Sequence, residues 1–463
     1  MTAKIAPKAK EMPLLGSLIP LSKNPLNHLM EISRDRDGIV NFTVPNSNLY
    51  LLLQPEIVRE VLVDKVAQFP KAKQEIAILG RNLGEGLIAV NGAKHKKQRK
   101  LSQPAFYAKR IETYAQTIVD YAAETIEHWK AEEVRDLSEE MYQLTMYIVS
   151  KTLFGADKSQ MMSSARSVAR AIETIQEVTN SEFENPLLNL LSWIPTHFNQ
   201  QRKQARAVLD ETILNLVEQR RATTGSSGRV VDTGDLLSML LLAQDEDNNY
   251  LSENEVLGML LNLFIAGHET TSNALTWTWY LLSLHREVED KFQAEIDTVL
   301  GERLPTIGDL QQLSYTQMIV KESMRLFPPV WALSAREAIE HTSVGGYSIP
   351  KGGQIWISPY VLHHRPELFP SPEKFDPQRF NPARVEEIPR YAYLPFGAGN
   401  RVCIGNSFAM MEATLILATV ARKFRFELMP NQFVVPNPQI TMSSKYGMQM
   451  CLKARSKRER DIK

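Results

Sequence analysis

Apolar residues change their spacing along this chain, and the changes divide it into three stretches. Between Gly38 and Leu53 they come in two short runs, Ile39-Val40-Asn41-Phe42-Thr43-Val44 and Leu49-Tyr50-Leu51-Leu52-Leu53, which predict a strand pair. Pro55-Glu56-Ile57-Val58-Arg59-Glu60-Val61-Leu62 follows with helical spacing. From about Ile111 to Leu300 apolar positions recur mostly at i, i+3 and i+4, the mark of amphipathic helices. Pro186, Pro195 and the loop Thr223-Thr224-Gly225-Ser226-Ser227-Gly228 punctuate this region. The last third alternates helices with short strand-like pieces, such as Gly346 to Pro350 and Gln354 to Ile357. The expected class is mainly α with a minor sheet (α+β). There is no internal repeat and no long linker, so one domain over 1–463 is expected, with tails at about 1–20 and, basic, at about 454–463.

One predicted helix departs from the amphipathic pattern. Ser252 with Glu255 forms a capping box, and Val256 to Ala266 is apolar around nearly the whole circumference, as in a helix buried on all sides. Gly267, His268, Glu269, Thr270, Thr271 and Ser272 follow in its middle. A mid-helix glycine costs about 1 kcal/mol against alanine, and an unpaired buried polar group roughly 1–3 kcal/mol. Either the helix kinks there with its hydroxyls satisfied locally, or a carboxylate and a hydroxyl are held beside a place of chemistry.

Composition removes several classes. Lys plus Arg equals Asp plus Glu at 53 each, so no global field recruits nucleic acid. Two cysteines, Cys403 and Cys451, provide neither a disulfide framework nor a zinc set, and a reducing cytoplasm is the natural compartment. The apolar run Met12 to Leu21 is broken by Pro13, Gly16, Ser17 and Pro20, too short for a transmembrane anchor. Cys403 stands in the glycine-punctuated loop Phe396-Gly397-Ala398-Gly399-Asn400-Arg401-Val402-Cys403-Ile404-Gly405, directly before a predicted helix from Asn406 to Phe424. Backbone N–H groups and the helix dipole at such a position favour a thiolate, which acts as nucleophile or soft metal ligand. No sequence rule ties any of the nine histidines to Cys403 as a base partner. Gly397-Ala398-Gly399 is no dinucleotide loop, because Val402 holds the third glycine position. Asp245-Glu246-Asp247-Asn248-Asn249 is no calcium loop, because Tyr250 and Val256 replace the needed glycine and glutamate.

Two further constellations suit a buried prosthetic group. Glu322 and Arg325 lie i, i+3 on a helix stopped by Pro328-Pro329, and Arg379 stands between Phe375 and Phe380; the three predict a structural charge clamp. His95 and Arg99 lie i, i+4 within Lys94-His95-Lys96-Lys97-Gln98-Arg99-Lys100, which otherwise reads as a solvated basic face. The pair His363-His364 reads as structural.

These residues converge: over essentially its full length the chain resembles a cytochrome P-450, a haem-thiolate monooxygenase. Phe396 to Gly405 matches the family's FxxGxRxCxG haem loop at every fixed position, and Ala266-Gly267-His268-Glu269-Thr270-Thr271 matches its oxygen-activation helix. Glu322-x-x-Arg325 with Arg379 matches the glutamate–arginine–arginine core. The resemblance implies a helix-rich fold around a buried haem b, with Cys403 as axial thiolate. It implies that Gly399 and Gly405 let the backbone approach the sulfur, and that Phe396 shields it. His95, Arg99, Arg336 and Arg401 align with propionate-binding positions, although many relatives carry tryptophan where His95 stands. Ala266 and Gly267 would border the haem, Gly267 leaving room for dioxygen. Glu269 and Thr270 match the acid–alcohol pair that delivers protons during oxygen activation.

Further expectations follow from the same resemblance. Electrons come from NAD(P)H through a separate ferredoxin, flavodoxin or diflavin reductase, and Lys96, Lys97, Arg99 and Lys100 could dock an acidic partner. The substrate is a hydrophobic small molecule such as a fatty acid, terpenoid or steroid. Its pocket is lined by Gln74 to Val90, Pro186 to Phe198, Ala266, Val330 to Leu333 and Met442 to Ser444. The protein is expected to be a monomer. Peroxide-using and isomerase members generally lack the acid–alcohol pair, and a haem sensor would have no use for it, so Glu269-Thr270 favours reductive oxygen activation.

Overall fold

The computed structural model describes residues 3–45, 47–158, 165–185, 188, 193–222, 231–244 and 251–455. Pro186, the loop 223–228, the segment 245–250 and the tail beyond residue 455 lie outside the described residues.

Strands β1 (Ile39–Val44) and β2 (Ser47–Leu52) pair antiparallel, with Ile39 opposite Leu52. Their apolar runs are nearly continuous because both sheet faces are covered. Val40, Phe42, Leu49 and Leu51 join one buried cluster, and Ile39, Tyr50 and Leu52 join another. The helix after β2 covers Pro55–Arg59 and widens into a π turn over Glu60–Asp64, where one continuous helix to Leu62 was expected. Residues of the expected N-terminal tail are held against the sheets. Lys4 N–H donates to the Gly346 carbonyl (2.8 Å), and Asn41 N–H to that of Pro7 (2.9 Å).

The helical part begins with α1 (Lys73–Leu83), α2 (Gly92–Ser102) and α3 (Ala108–Glu127). After the short β3 (Val134–Asp136) come α4 (Leu137–Phe154), α5 (Ala165–Glu184), α6 (His197–Ala222) and α7 (Leu236–Leu242). The all-round apolar segment is α8 (Glu253–Leu284), a 32-residue helix opened by the expected Ser252–Glu255 capping box. It runs through the core against α4 and is followed by α9 (Arg286–Leu300) and α10 (Ser314–Leu326). A Cβ on Gly267 would lie 3.1 Å from a Val149 methyl, so the glycine lets α8 and α4 approach closely. Its missing side chain faces α4, while its backbone borders the cavity described below.

Short strands complete the chain: β4 (Arg336–Glu337), β5 (Thr342–Val344), β6 (Tyr347–Ile349) and β7 (Gln354–Trp356). β7 runs parallel to β2, with Tyr50 opposite Ile355, and β4 closes the four-stranded sheet. Helix α11 (Asn406–Ala421) follows the cysteine loop. It ends three residues before the expected Phe424, which instead opens β8 (Phe424–Leu428) and pairs with Ala454. Last come β9 (Pro436–Pro438), β10 (Met442–Ser444) and β11 (Gln449–Ala454).

Glu322 and Arg325 are completely buried on α10. The Arg325 fork donates from Nε to Glu322 Oε2 and from Nη2 to Oε1, both at 2.8 Å, and from Nη1 to the His363 carbonyl at 2.9 Å. Arg379 Nε stands 3.4 Å from Glu322 Oε1, and Asp376 N–H donates to that same oxygen at 2.9 Å. His363 carries the clamp onward: its Nε2 accepts from Leu394 N–H (2.9 Å), two residues ahead of Phe396. Its Nδ1 lies 3.2 Å from the Arg325 carbonyl, so the tautomer with hydrogen on Nδ1 satisfies both contacts. Burial holds this imidazole well below its ordinary pKa, as an accepting Nε2 requires.

Removing one partner of such a pair strands a buried charge. Arg325→Leu is expected to cost about 3–5 kcal/mol in urea unfolding. Arg379→Leu, which removes one longer contact to Glu322 and a 2.9 Å hydrogen bond to the Ser371 carbonyl, is expected to cost less; equal losses would contradict a clamp centred on Arg325.

Candidate functional site

The Cys403 loop is shaped by its glycines and by one closing hydrogen bond. Cys403 N–H donates to the Phe396 carbonyl at 2.9 Å. Gly399 has φ +70° and lies so close to the preceding layer that a Cβ would stand 2.1 Å from the Leu62 carbonyl oxygen, so no other residue fits. Cys403 is accessible from a deep cavity that it lines together with Phe396 and Gly405, while protein surrounds it. Burial pushes its thiol above the ordinary value; the Gly405 N–H and Arg99 pull the other way without prevailing. The helix start after Cys403 is therefore insufficient by itself to hold a thiolate. A positive ion meeting the sulfur would.

Across the cavity stands α8, whose Ala266, Gly267, Thr270 and Thr271 form part of the wall. Thr270 Oγ1 donates to the Ala266 carbonyl (2.9 Å) and Thr271 Oγ1 to that of Gly267 (3.3 Å), so both hydroxyls are satisfied within the helix. Glu269 points elsewhere. It is 6 % exposed, and its two oxygens accept from Gln176 Nε2 on α5 and from Thr441 Oγ1 beside β10. Asn273 Nδ2 in turn donates to Thr441 Oγ1 at 3.1 Å. Burial raises the Glu269 carboxyl above its ordinary range, and these two neutral donors oppose the shift. Gln176 and Thr441 escaped the sequence reading because they lie 93 and 172 residues from Glu269, outside any motif. His268 is fully buried, with Nδ1 on the Phe264 carbonyl (2.7 Å) and its ring edge-on to Tyr142.

One edge of the cavity is cationic. His95, Arg99, Arg336 and Arg401 all border it, and so does Lys71, which no motif marked. Arg99 Nη1 donates to the Val402 carbonyl (2.8 Å), and Lys71 Nζ to that of Ile88 (2.7 Å). Arg401 Nη2 donates to the Val90 carbonyl and Asn91 Oδ1, both at 2.7 Å. Arg336 Nε and Arg401 Nη1 are buried with no partner among the described residues. Burial and mutual repulsion bring Lys71 down to about 7, His95 to about 4 and Arg401 to about 10, with Glu75 opposing the shift at Lys71 and Arg401. Orphaned guanidinium donors in a surplus of cations call for buried anions.

The remaining pocket expectations divide. Leu87 and Ile88 line the cavity from the first segment, as do Val330 and Leu333. Met442 stands behind the wall, its N–H donating to the Pro329 carbonyl at 2.8 Å and its carbonyl accepting from Trp277 Nε1 at 3.0 Å. Trp193 to Pro195 border a separate surface depression with Arg81, Arg202 and Arg206. In the basic run, His95 and Gln98 turn inward, while Lys96 and Lys100 are exposed.

Two measurements check these assignments. His268 has a folded-state value of about 4, below its ordinary 6.5, because burial disfavours the charged ring. The native imidazole stays neutral where the unfolded one takes up a proton, so its contribution is complete above pH 6.5 and lost as pH falls toward 4. His268→Phe should flatten the decline of the urea midpoint in that window; an unchanged decline would exclude His268 as its source. Lys71→Met removes one cation from the cavity edge and should lower retention of the haem that the sequence motifs imply, read as the ratio of haem to protein absorbance, with Lys71→Arg restoring it.

The cavity places a cysteine sulfur opposite a threonine-bearing helix and beside unpaired cations. Comparison with known proteins agrees with that arrangement. The sequence profile of the cytochrome P-450 family matches residues 7–451. The chain is 36% identical to cyclooctatin synthase of Streptomyces melanosporofaciens over 435 residues, 94% of this chain and 92% of that protein. It is also 36% identical to cyclooctat-9-en-7-ol 5-monooxygenase of the same organism (90% and 89% covered), and 31% identical to pentalenene oxygenase of Streptomyces avermitilis (96% of each). The crystal structure of a cytochrome P-450 haem domain superposes with a TM-score of 0.85 over 99% of this chain and all of that one, at 23% identity, which supports the fold. Among the described residues no helix is long and apolar enough to cross a membrane. The chain belongs to the cytochrome P-450 family of monooxygenases.

Proposed function

We propose that this protein hydroxylates a terpenoid, using haem b bound through Cys403. The observation that carries the reading is one cavity that holds both an accessible cysteine sulfur, a soft metal ligand, and guanidinium donors left unpaired at its edge. The sulfur suits a metal ion, and the unpaired guanidinium donors suit anions. Haem has a metal ion at its centre and two carboxylates at its rim, and the residues present fit both. Among the described residues no group of three or more His, Cys, Asp or Glu side chains is placed to hold a metal ion, so a single sulfur ligand suits an iron held mainly by a macrocycle.

When bound, haem supplies the oxygen activation itself. The chain's own residues do the rest. Arg99, Arg336 and Arg401, with Lys71 and His95, would hold the two carboxylates and fix the ring's orientation. Leu87, Ile88, Val330 and Leu333 keep water out and present an apolar surface to the substrate. Thr270 keeps a hydroxyl at the wall, and Glu269 holds a proton more tightly than a surface carboxyl, because burial disfavours its charge. The overall change balances as substrate C–H plus dioxygen, two electrons and two protons, giving C–OH and water. The electrons would come from NAD(P)H through a separate ferredoxin, flavodoxin or diflavin reductase. The exposed Lys96 and Lys100 on α2 offer an acidic partner a docking face, read out by slower reduction at higher salt.

Terpenoid substrates are favoured by the names of the similar proteins, one a monooxygenase of cyclooctat-9-en-7-ol and another an oxygenase of pentalenene. Reconstitution with a surrogate ferredoxin, its reductase and NADPH tests the proposal against a panel of cyclic terpenoids and fatty acids. A Soret shift on terpenoid addition, followed by a product one oxygen heavier, is expected. Product from fatty acids alone would overturn the substrate class. A reduced carbon-monoxide complex lacking the thiolate-type band would overturn the ligand.

A further inference from the structure

Asn262 stands on α8 one turn before Ala266 and is completely buried. Its carboxamide serves three backbone groups. Oδ1 accepts from Ile88 N–H at 3.0 Å, and Nδ2 donates to the carbonyls of Leu83 and Gly258, both at 2.9 Å. Leu83 is the last residue of α1, and Ile88 lines the cavity. One side chain therefore ties both ends of the segment between them to α8. The segment lies directly on the helix: a Cβ on Gly86 would stand 2.2 Å from the Gly258 carbonyl oxygen and 2.3 Å from Asn262 Cγ. A Cβ on Gly258 would in turn lie 3.1 Å from the Glu85 backbone. From the other side, Gln98 Nε2 on α2 donates to the Glu85 carbonyl at 2.8 Å.

Connecting segments over a binding cavity are ordinarily its most mobile part, because their backbone groups bond to water. Here the backbone at Leu83, Glu85 and Ile88 is bonded to side chains of α8 and α2. Asn262 also borders the cavity, yet both its N–H groups are engaged and its oxygen already has a donor. It offers substrate little hydrogen bonding of its own. The neighbouring α1 is held differently, by Asn82 and Arg81 on the buried Glu182 of α5, which Arg202 of α6 also reaches.

We infer that Asn262 is a specificity-determining positioning residue that holds Leu87 and Ile88 at a fixed depth over the cavity. The shape a hydrophobic ligand meets on that side is then set by a polar residue acting through the backbone of 84–88. This inference rests on the cavity being the substrate site, but its first readout requires neither substrate nor turnover.

The test compares the haem-loaded wild type with Asn262→Leu, Asn262→Asp and Gly86→Ala. Amide hydrogen exchange within 84–90 should accelerate about tenfold or more in Asn262→Leu and Gly86→Ala, with α10 amides unchanged. Asn262→Asp, which keeps the acceptor for Ile88 but sets an oxygen against two carbonyls, should fall between. The rank order of dissociation constants for a panel of terpenoids and fatty acids, read by the Soret shift, should change in the same variants. Unchanged exchange at 84–90 in all three would overturn the inference, as would faster exchange with the wild-type rank order intact. Failure of terpenoid hydroxylation with these shifts present would count against the proposed substrate and leave Asn262's role standing.

Discussion

The site depends on a buried ion pair that lies behind it. Glu322 and Arg325 have no access to water, so every donor and acceptor they carry must find a partner inside the protein. Satisfying them draws together α10, the carbonyls of His363 and Lys374, the N–H of Asp376 and the guanidinium of Arg379. His363 passes the constraint to Leu394 and so to the start of the cysteine loop. The position of Cys403 is thus set by charges that take no part in chemistry.

Around the cavity the same electrostatic logic is left incomplete. The cavity presents a cysteine sulfur on one side and, at its edge, Arg336 Nε and Arg401 Nη1 with no partner among the described residues. Buried unpaired guanidinium donors are costly in a low-dielectric interior, and under the proposed reading the carboxylates of a bound haem would pair them.

The acid and the alcohol of the central helix have separate surroundings. Thr270 belongs to the cavity, whereas Glu269 belongs to a polar nook shared with Gln176 and Thr441. Consecutive residues on a helix point about 100° apart, so one can face the reacting space while the other is held from behind. Neither partner of Glu269 is charged, which leaves burial as the dominant influence on its proton. Asn262, two turns earlier on the same helix, applies the same device to backbone: a buried polar side chain holds a wall it does not itself form.

Local order was legible wherever it is encoded by neighbours in the chain. The capping box at Ser252 and Glu255, the apolar circumference of α8, the strand runs at Ile39 and Leu49, and the glycine-shaped loop before Asn406 depend on residues within a turn or two of each other. The motifs and the family resemblance likewise indicated Cys403, the Glu322–Arg325 pair, and His95 with three arginines at the cavity edge. What tertiary structure alone decided involves partners far apart in the chain: Lys71 among the arginines, Gln176 and Thr441 on Glu269, His363 on Leu394. It also decided that Phe424 leaves its helix for a strand, and that the space at Gly267 serves α4. Periodicity and capping are short-range effects written into adjacent side chains. Desolvation and the pairing of buried polar groups exist only once distant segments have excluded water between them.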